Sequence, residues 1–248
     1  MCGISGIIPL NNRKSLNFIS ILKGINKRLE CRGPDSQNIW KNDSNDICLG
    51  HTRLSIIDPV ERSNQPFISE DKNFVITYNG ELYNYLDQKK ELEKKGHIFK
   101  TNSDTEVILK LYIEYNEKFL EFLDGMFAFC IYDKRNNETI IVRDRFGIKP
   151  LYYTLFNDIF IFSSSVKSIY ENFDFTNDFS KGAVIGFLVN GSIPEPLTLR
   201  KNIQSVQAGT IIKIKNNSVI KKKYFSFVEM INNVENSKRN NFTQEDFD

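Results

Sequence analysis

Apolar residues in this chain come in short bursts, and their spacing alternates between two periods. Residues 3–8, directly behind Met1-Cys2, are almost continuously apolar or small, which predicts a buried strand. Leu16, Ile19, Leu22, Ile25 and Leu29 recur at intervals of three and four, the spacing of one helical face. That helix has to stop before Gly33-Pro34, because proline lacks an N–H and restricts its neighbour. Residues 47–50 predict a short strand leading into His51-Thr52-Arg53-Leu54-Ser55-Ile56-Ile57-Asp58. Residues 74–78 predict a strand ending at Asn79-Gly80, followed by a helix carried by Leu82, Tyr85, Leu86, Lys89 and Leu92. The reading there is strand–turn–helix.

A further helix starts at Ser103-Asp104-Thr105-Glu106, where Ser103 and Glu106 have the spacing of a capping box. Val107, Ile108, Leu111, Tyr112 and Tyr115 supply its buried face. Residues 126–132 and 139–142 predict a hairpin covered on both sides. Residues 151–156 and 159–162 predict a second, across Asn157-Asp158. Residues 211–214 and 219–220 predict a third, around Asn216-Asn217-Ser218, and residues 183–189 a short helix. Many hairpins and few strand–helix–strand alternations indicate an α+β fold of layered antiparallel sheets. Residues 231–248 are polar and Asn-rich, the composition of a linker or of a helix start without its packing partner.

Composition narrows the class. A length of 248 residues with 40% apolar and 26% charged residues describes a globular domain with a sizeable core. Phe 20 and Tyr 10 make that core aromatic-rich. Lys and Arg total 33 against 31 Asp and Glu, a net charge of +2, which favours neither nucleic acid nor an anionic membrane as partner. The lysines at 213, 215 and 221–223 suit an edge strand guarded against association. No apolar run reaches membrane-spanning length and no secretory leader is expected, so the expected setting is the cytoplasm. Cys2, Cys31, Cys48 and Cys130 are too scattered for a conventional zinc site or a disulfide framework.

The candidate chemistry begins at the terminus. With Met1 removed, Cys2 carries a thiol and an α-amine on one residue, a nucleophile and a base poised near neutrality. Ile4, Ile7 and Ile8 would pin this end into a sheet, whereas most chain ends fray. Arg32 and Asp35 bracket the Gly33-Pro34 turn, either as a local ion pair or as a loop supporting a site. Arg53 beside an apolar segment needs a partner, either a structural carboxylate or that of a substrate. The Asn79 amide and the Gly80 N–H are two donors of the kind an oxyanion requires. Asp104 suits the positive end of its helix and equally an ammonium group. The alternating charges of Arg143-Asp144-Arg145 read as a local salt network, with a phosphate contact or a partner surface as alternatives.

The stretches MCGISGII, RGPD (32–35), HTRLSIID (51–58), NGELYN (79–84), SDTEVIL (103–109), DGMFAFCIYD (124–133) and RDRFGIKPLYY (143–153) together resemble the glutaminase domain of glutamine-dependent asparagine synthetases. This is a class II amidotransferase domain of the N-terminal-nucleophile type. The resemblance runs in family order over nearly the whole chain. It implies a four-layer αββα sandwich of two antiparallel sheets over residues 1–225. Residues 226–248 would be a polar linker or the start of a C-terminal synthetase domain. It implies that Cys2 attacks the side-chain amide of L-glutamine to form a thioester, with Asn79 and Gly80 holding the oxyanion. Arg53 would bind the substrate α-carboxylate, Glu81 and Asp104 its α-amine, and backbone groups at Leu54 and Ile56 would complete the pocket. Glutamine hydrolysis needs no cofactor. ATP and magnesium belong to an ammonia-accepting synthetase domain, C-terminal or separate, whose SGGLDS loop does not occur in these residues. A homodimer is compatible with this reading.

Two departures qualify the resemblance. The family's SEIK reads Ser164-Ser165-Val166-Lys167 here, a serine for the usual glutamate, and its PPG-like turn reads Val206-Gln207-Ala208-Gly209. The acceptor is therefore open between aspartate and another carboxylate or a sugar. The competing readings are a sugar-phosphate amidotransferase and a noncatalytic domain that keeps the fold.

Overall fold

A computed structural model describes residues 1–11, 17–44, 46–176 and 178–232. The chain runs β1 (Gly3–Pro9), α1 (Phe18–Leu29), β2 (Ser36–Lys41), β3 (Cys48–Arg53), β4 (Phe67–Ile68) and β5 (Phe74–Leu82). Two helices follow, α2 (Tyr85–Lys94) and α3 (Asp104–Tyr115), and then the strands β6 (Gly125–Asp133), β7 (Glu138–Arg143), β8 (Tyr152–Phe156) and β9 (Ile159–Ser163). The remainder is α4 (Val166–Tyr170), α5 (Lys181–Asn190), β10 (Gln204–Ser205), β11 (Thr210–Lys215) and β12 (Ser218–Lys223). One sheet has the order β10-β8-β9-β1-β3-β2 and the other β12-β11-β7-β6-β5-β4. All their pairings are antiparallel.

Strand alternation explains the layering. In β6, Phe127, Phe129 and Ile131 face α2 and α3, and share a core with Val107, Ile108 and Leu111. Ala128, Cys130 and Tyr132, one residue out of phase, pack between the sheets against Ile4, Leu49 and Phe162. A strand buried on both faces reads as a continuous apolar run, as residues 126–132 do. On the far side, Leu22, Ile25 and Leu29 of α1 pack with Ile7, Cys48 and Ile161 of the first sheet. The result is the expected αββα sandwich. Strand β1 lies at the centre of its sheet, between β3 and β9. There, Phe162 fills the space a side chain at Gly6 would need, with its ring 2.2 Å from an added Cβ.

Each predicted hairpin forms. Asn157-Asp158 and Asn216-Asn217 occupy positive φ, as two-residue hairpin loops require, and β12 with its lysines is the sheet edge. Residues 183–189 fall within α5, which buries Ala183 and leaves Ile185, Leu188 and Val189 exposed. The α1 stripe holds at Leu22, Ile25 and Leu29; Leu16 lies outside the described residues. Most of the polar segment 231–248 lies outside them too, and residues 227–232 are helical.

Three local expectations change. The strand predicted to end at Asn79-Gly80 runs on to Leu82, paired through Asn79↔Ala128, Gly80↔Phe127, Glu81↔Met126 and Leu82↔Gly125. There is no turn, because a full-length partner strand holds the dipeptide extended, and α2 begins only at Tyr85. The Ser103 box is half made. Ser103 accepts from Thr105 N–H, but the Glu106 carboxylate reaches back to the Lys100 and Thr101 N–H groups. The charges of 143–145 do not pair with one another. Asp144 accepts from the Phe127, Phe146, Ile148 and Lys149 N–H groups. Arg143 donates to the Lys149, Gly147 and Val206 carbonyls and pairs with Glu195. Backbone groups brought in by a tight loop outcompete the neighbouring side chains. Strand β2 has no counterpart in the sequence reading, because an edge strand alternates weakly and stays partly exposed.

Candidate active site

Cys2 stands one residue before the central strand β1, so the sheet fixes its position. Its thiol lies against the segment that follows β3, taking the Leu54 N–H at 3.4 Å and facing the Leu54 carbonyl at 3.6 Å. Its carbonyl accepts from Arg32 Nε at 3.1 Å. Asp35 accepts from Ser55 N–H at 2.7 Å, tying the turn after α1 to the loop beside the thiol. These two charges form no ion pair with each other; each braces the site, one at the nucleophile and one at the loop. Burial pushes the Cys2 thiol up from its ordinary value, opposed by the Leu54 N–H and by the charges of the terminal amine and Arg53.

The thiol opens into a pocket of about 280 Å³, a size for a ligand smaller than a drug. Cys2, Arg53, Leu54, Ile56, Asn79, Gly80, Glu81 and Asp104 all line it. The structure thus brings together every site residue named from the sequence. A larger groove of about 830 Å³ lies along β2, β4 and α3. It holds no cysteine, and some of its charges are paired, as Lys134–Asp43 and Lys100–Glu70.

Strand β5 supplies the far wall. Its residues alternate between faces, so Tyr78 looks toward α3 while Asn79 looks between the sheets. Tyr78 Oη donates to Asp104 Oδ2 at 2.7 Å. Asn79 is 1% exposed, and its Nδ2 is buried without a hydrogen-bond partner. The main chain shows where the Gly80 N–H points. Tyr78 N–H donates to Gln65 Oε1 and Leu82 N–H to Asp104 Oδ2, both away from β6. Every second N–H of a strand points the same way, so the Gly80 N–H points there as well. Strand β4 is too short to cover it, ending opposite Ile76. Gly80 also has to be glycine, since an added Cβ would sit 2.5 Å from the Met126 carbonyl oxygen.

The charged residues form a complementary set. Asp104 is 4% exposed, and burial raises its carboxyl while the Tyr78 hydroxyl and the Leu82 N–H hold it down. Glu81 is exposed at the pocket wall. Arg53 is 5% exposed. Its partners are neither of the carboxylates considered above. Nη1 donates to the Val60 carbonyl and Asn64 Oδ1, and Nη2 to the Asp58 and Ile57 carbonyls. The loop folds over the guanidinium and satisfies its hydrogen bonds with neutral acceptors, so no carboxylate is bonded to it, although its charge still acts on the Asp58 carboxyl. Gln65, Tyr78, Met126 and Lys149 also line the cavity and were missed from sequence. Lys149 and Met126 lay within the RDRFGIKPLYY and DGMFAFCIYD stretches; Gln65 and Tyr78 read as ordinary loop and strand residues.

Known proteins share this sequence pattern and fold. A family model described as a glutamine amidotransferase domain matches residues 1–225. Asparagine synthetase [glutamine-hydrolyzing] 1 of Bacillus subtilis is 38% identical over 231 residues, covering 91% of this chain and 35% of the relative. A putative asparagine synthetase [glutamine-hydrolyzing] 2 of Methanocaldococcus jannaschii is 38% identical, covering 84% of this chain and 43% of the relative. The chain therefore spans well under half the length of these relatives. Among solved structures, a glutamine phosphoribosylpyrophosphate amidotransferase from B. subtilis superimposes with a TM-score of 0.67 at 22% identity, over 91% of this chain and 50% of that one. That likeness concerns the fold. With a family model spanning 225 residues and a cysteine-headed pocket on the matching sandwich, this chain belongs to the glutamine amidotransferase domain family.

Proposed function

We propose that the chain hydrolyses L-glutamine to L-glutamate and ammonia through a thioester on Cys2. The observation that carries this reading is the buried, unpartnered Asn79 Nδ2 in the pocket of the thiol. A buried donor without an acceptor is costly to keep, and an oxyanion forming in the pocket would satisfy it. The Gly80 N–H supplies a second donor on the same wall.

Burial raises the Cys2 thiol, so it stays protonated near neutrality and needs a base. Met1 lines the pocket; its removal frees the Cys2 α-amine and vacates space beside the thiol. The amine takes the thiol proton, and sulfur attacks the amide carbon. The tetrahedral oxyanion is held by Asn79 and Gly80. Its C–N bond breaks as the amine returns the proton to nitrogen, and ammonia leaves. Water then cleaves the thioester, giving glutamate and the free thiol. The zwitterionic end of glutamine fits the charges present: its carboxylate toward Arg53, by sharing or displacing the carbonyls now around it, and its ammonium toward Glu81 and Asp104.

The names of the relatives extend the reading to a whole protein. The ammonia would pass to a synthetase domain that uses ATP and magnesium to make asparagine, with the cytoplasm as the setting. The glutaminase step itself uses no cofactor.

Intact mass spectrometry with a diazo-ketone analogue of glutamine tests the proposal. The expected result is loss of Met1 and one adduct, mapped to Cys2. A protein with Met1 removed and a free terminus that gains no adduct overturns it.

A further inference from the structure

A third cavity, a cleft of about 380 Å³, is lined by Arg32, whose Nε holds the Cys2 carbonyl. Arg28, Arg32 and Lys167 line it together with Ser164, Ser165 and Tyr152, and no Asp or Glu is among its described lining residues. Arg28 and Lys167 are exposed at its rim, both paired with Glu171 outside the lining. Arg32 is half-buried. Its Nε is committed to the Cys2 carbonyl, and its Nη2 is shielded with no hydrogen-bond partner.

A guanidinium in such a place ordinarily has a carboxylate beside it. Here the groups that act on Arg32 are the thiols of Cys31 and Cys2 and the Tyr152 phenol, with no carboxylate among them. Burial accordingly lowers the Arg32 pKa. The hydroxyls add unused donors. Ser164 is 2% exposed and accepts from Ile4 N–H, which leaves its own O–H without an acceptor among the described residues. Ser165 stands at the position where the resembled SEIK motif carries glutamate, so the side chain that would bring a carboxylate here is absent.

We propose that this cleft binds a small oxyanion, a carboxylate or a phosphate, on the terminal nitrogens of Arg32. The hydroxyls of Ser164 and Ser165 supply further donors, and Arg28 and Lys167 supply charge at the rim. The site is separate from the glutamine pocket and is linked to it through Arg32, whose Nε holds the Cys2 carbonyl. The proposal does not depend on the chemistry of Cys2.

The test is a titration of the ¹⁵N-labelled chain with inorganic phosphate and, separately, with acetate, at constant ionic strength, followed by amide shifts. The expected result is a saturable response centred on Arg32 and residues 164–167. Tighter phosphate binding identifies a phosphoryl ligand, and tighter acetate binding a carboxylate. Ser165→Glu places a carboxylate in the cleft and is expected to weaken binding at least tenfold, and Arg32→Gln to do the same. Shifts that do not saturate, or that scatter over the surface with both anions, overturn the proposal. So does wild-type affinity in Ser165→Glu, which is read alone should Arg32→Gln not fold. A chain that binds phosphate but gains no adduct from the glutamine analogue keeps this site and loses the glutaminase reading.

Discussion

Asn79-Gly80 at the end of β5 and Asn157-Asp158 between β8 and β9 carry the same signal for a turn, yet only the second one turns. Asn157 and Asp158 sit at φ 50° and 60° on an exposed tip, and the chain reverses there. Asn79 and Gly80 stay extended, each opposite a residue of β6. A turn dipeptide permits a reversal without compelling it. Where a long partner strand offers a hydrogen bond at every second residue and apolar neighbours cover both faces, the extended form wins. The consequence at β5 is chemical: because the strand does not turn, the Asn79 amide is held between the sheets and the Gly80 N–H faces the pocket. At the tip between β8 and β9 the same residue types serve only backbone geometry.

Substitutions on the two sides of this comparison should behave differently. Gly80→Ala should have the largest effect, since the new Cβ meets backbone atoms at 2.5 and 2.8 Å. Loss of roughly 1–3 kcal/mol of stability and more than a hundredfold loss of glutaminase rate are expected from denaturant melts and ammonia release. A stable, active variant would show that the strand yields at this point. Asn79→Ala should slow turnover about a hundredfold, roughly 3 kcal/mol of transition-state stabilisation, with the melting temperature unchanged or raised because an unsatisfied donor is gone. Wild-type turnover there would refute the oxyanion role.

His51 sharpens the comparison through pH. Its Nε2 donates to the Tyr78 carbonyl at 3.1 Å, next to Asn79, and burial pulls its pKa down to about 3. The unfolded chain takes a proton near pH 6.5 and the folded chain does not, so this contribution is complete above pH 6.5. It is lost as pH falls toward 3, at about 1.4 kcal/mol per pH unit. His51→Gln should flatten that slope, whatever its effect on the absolute level. A wild-type stability independent of pH between 6.5 and 4 would contradict the buried neutral imidazole. The smallest effect belongs to the surface turns. Asn217, at φ 61°, tolerates that conformation better than alanine does. Asn217→Ala should cost about 1 kcal/mol and leave glutamine turnover alone; a change in turnover would tie the β11–β12 hairpin to the site.

Legibility followed the distance over which each feature is determined. Hairpin tips, the α1 stripe and the apolar runs of β6 and β7 are written in neighbouring residues, and they formed where expected. Residues of the pocket were legible through the order of motifs along the chain, which no single motif carries. Strand β2 was not legible, because its burial comes from one neighbour, β3, rather than from its own alternation. Gln65, which takes the Tyr78 N–H and donates to Thr105 Oγ1, is an ordinary loop glutamine until the fold sets it beside α3.

The amino-acid sequence by itself determined most of the strands and helices, though not β2, and that the sheets are antiparallel and layered; the charges around Cys2 suited to a small zwitterion were picked out by the resemblance of the ordered motifs to a known family. Local period and composition carry the strands, the helices and the layering, because burial of one face or both is imposed residue by residue. The partners of the polar groups were decided only by the tertiary structure. Arg53 found carbonyls and Asn64 where a carboxylate was expected, Asp144 found main-chain N–H groups instead of its neighbouring arginines, and Arg32 found the Cys2 carbonyl. A hydrogen bond is satisfied by whatever acceptor or donor the fold brings within about 3 Å. For Arg32 and Cys2 those groups are separated by 30 residues in the chain, a relation that no local pattern records.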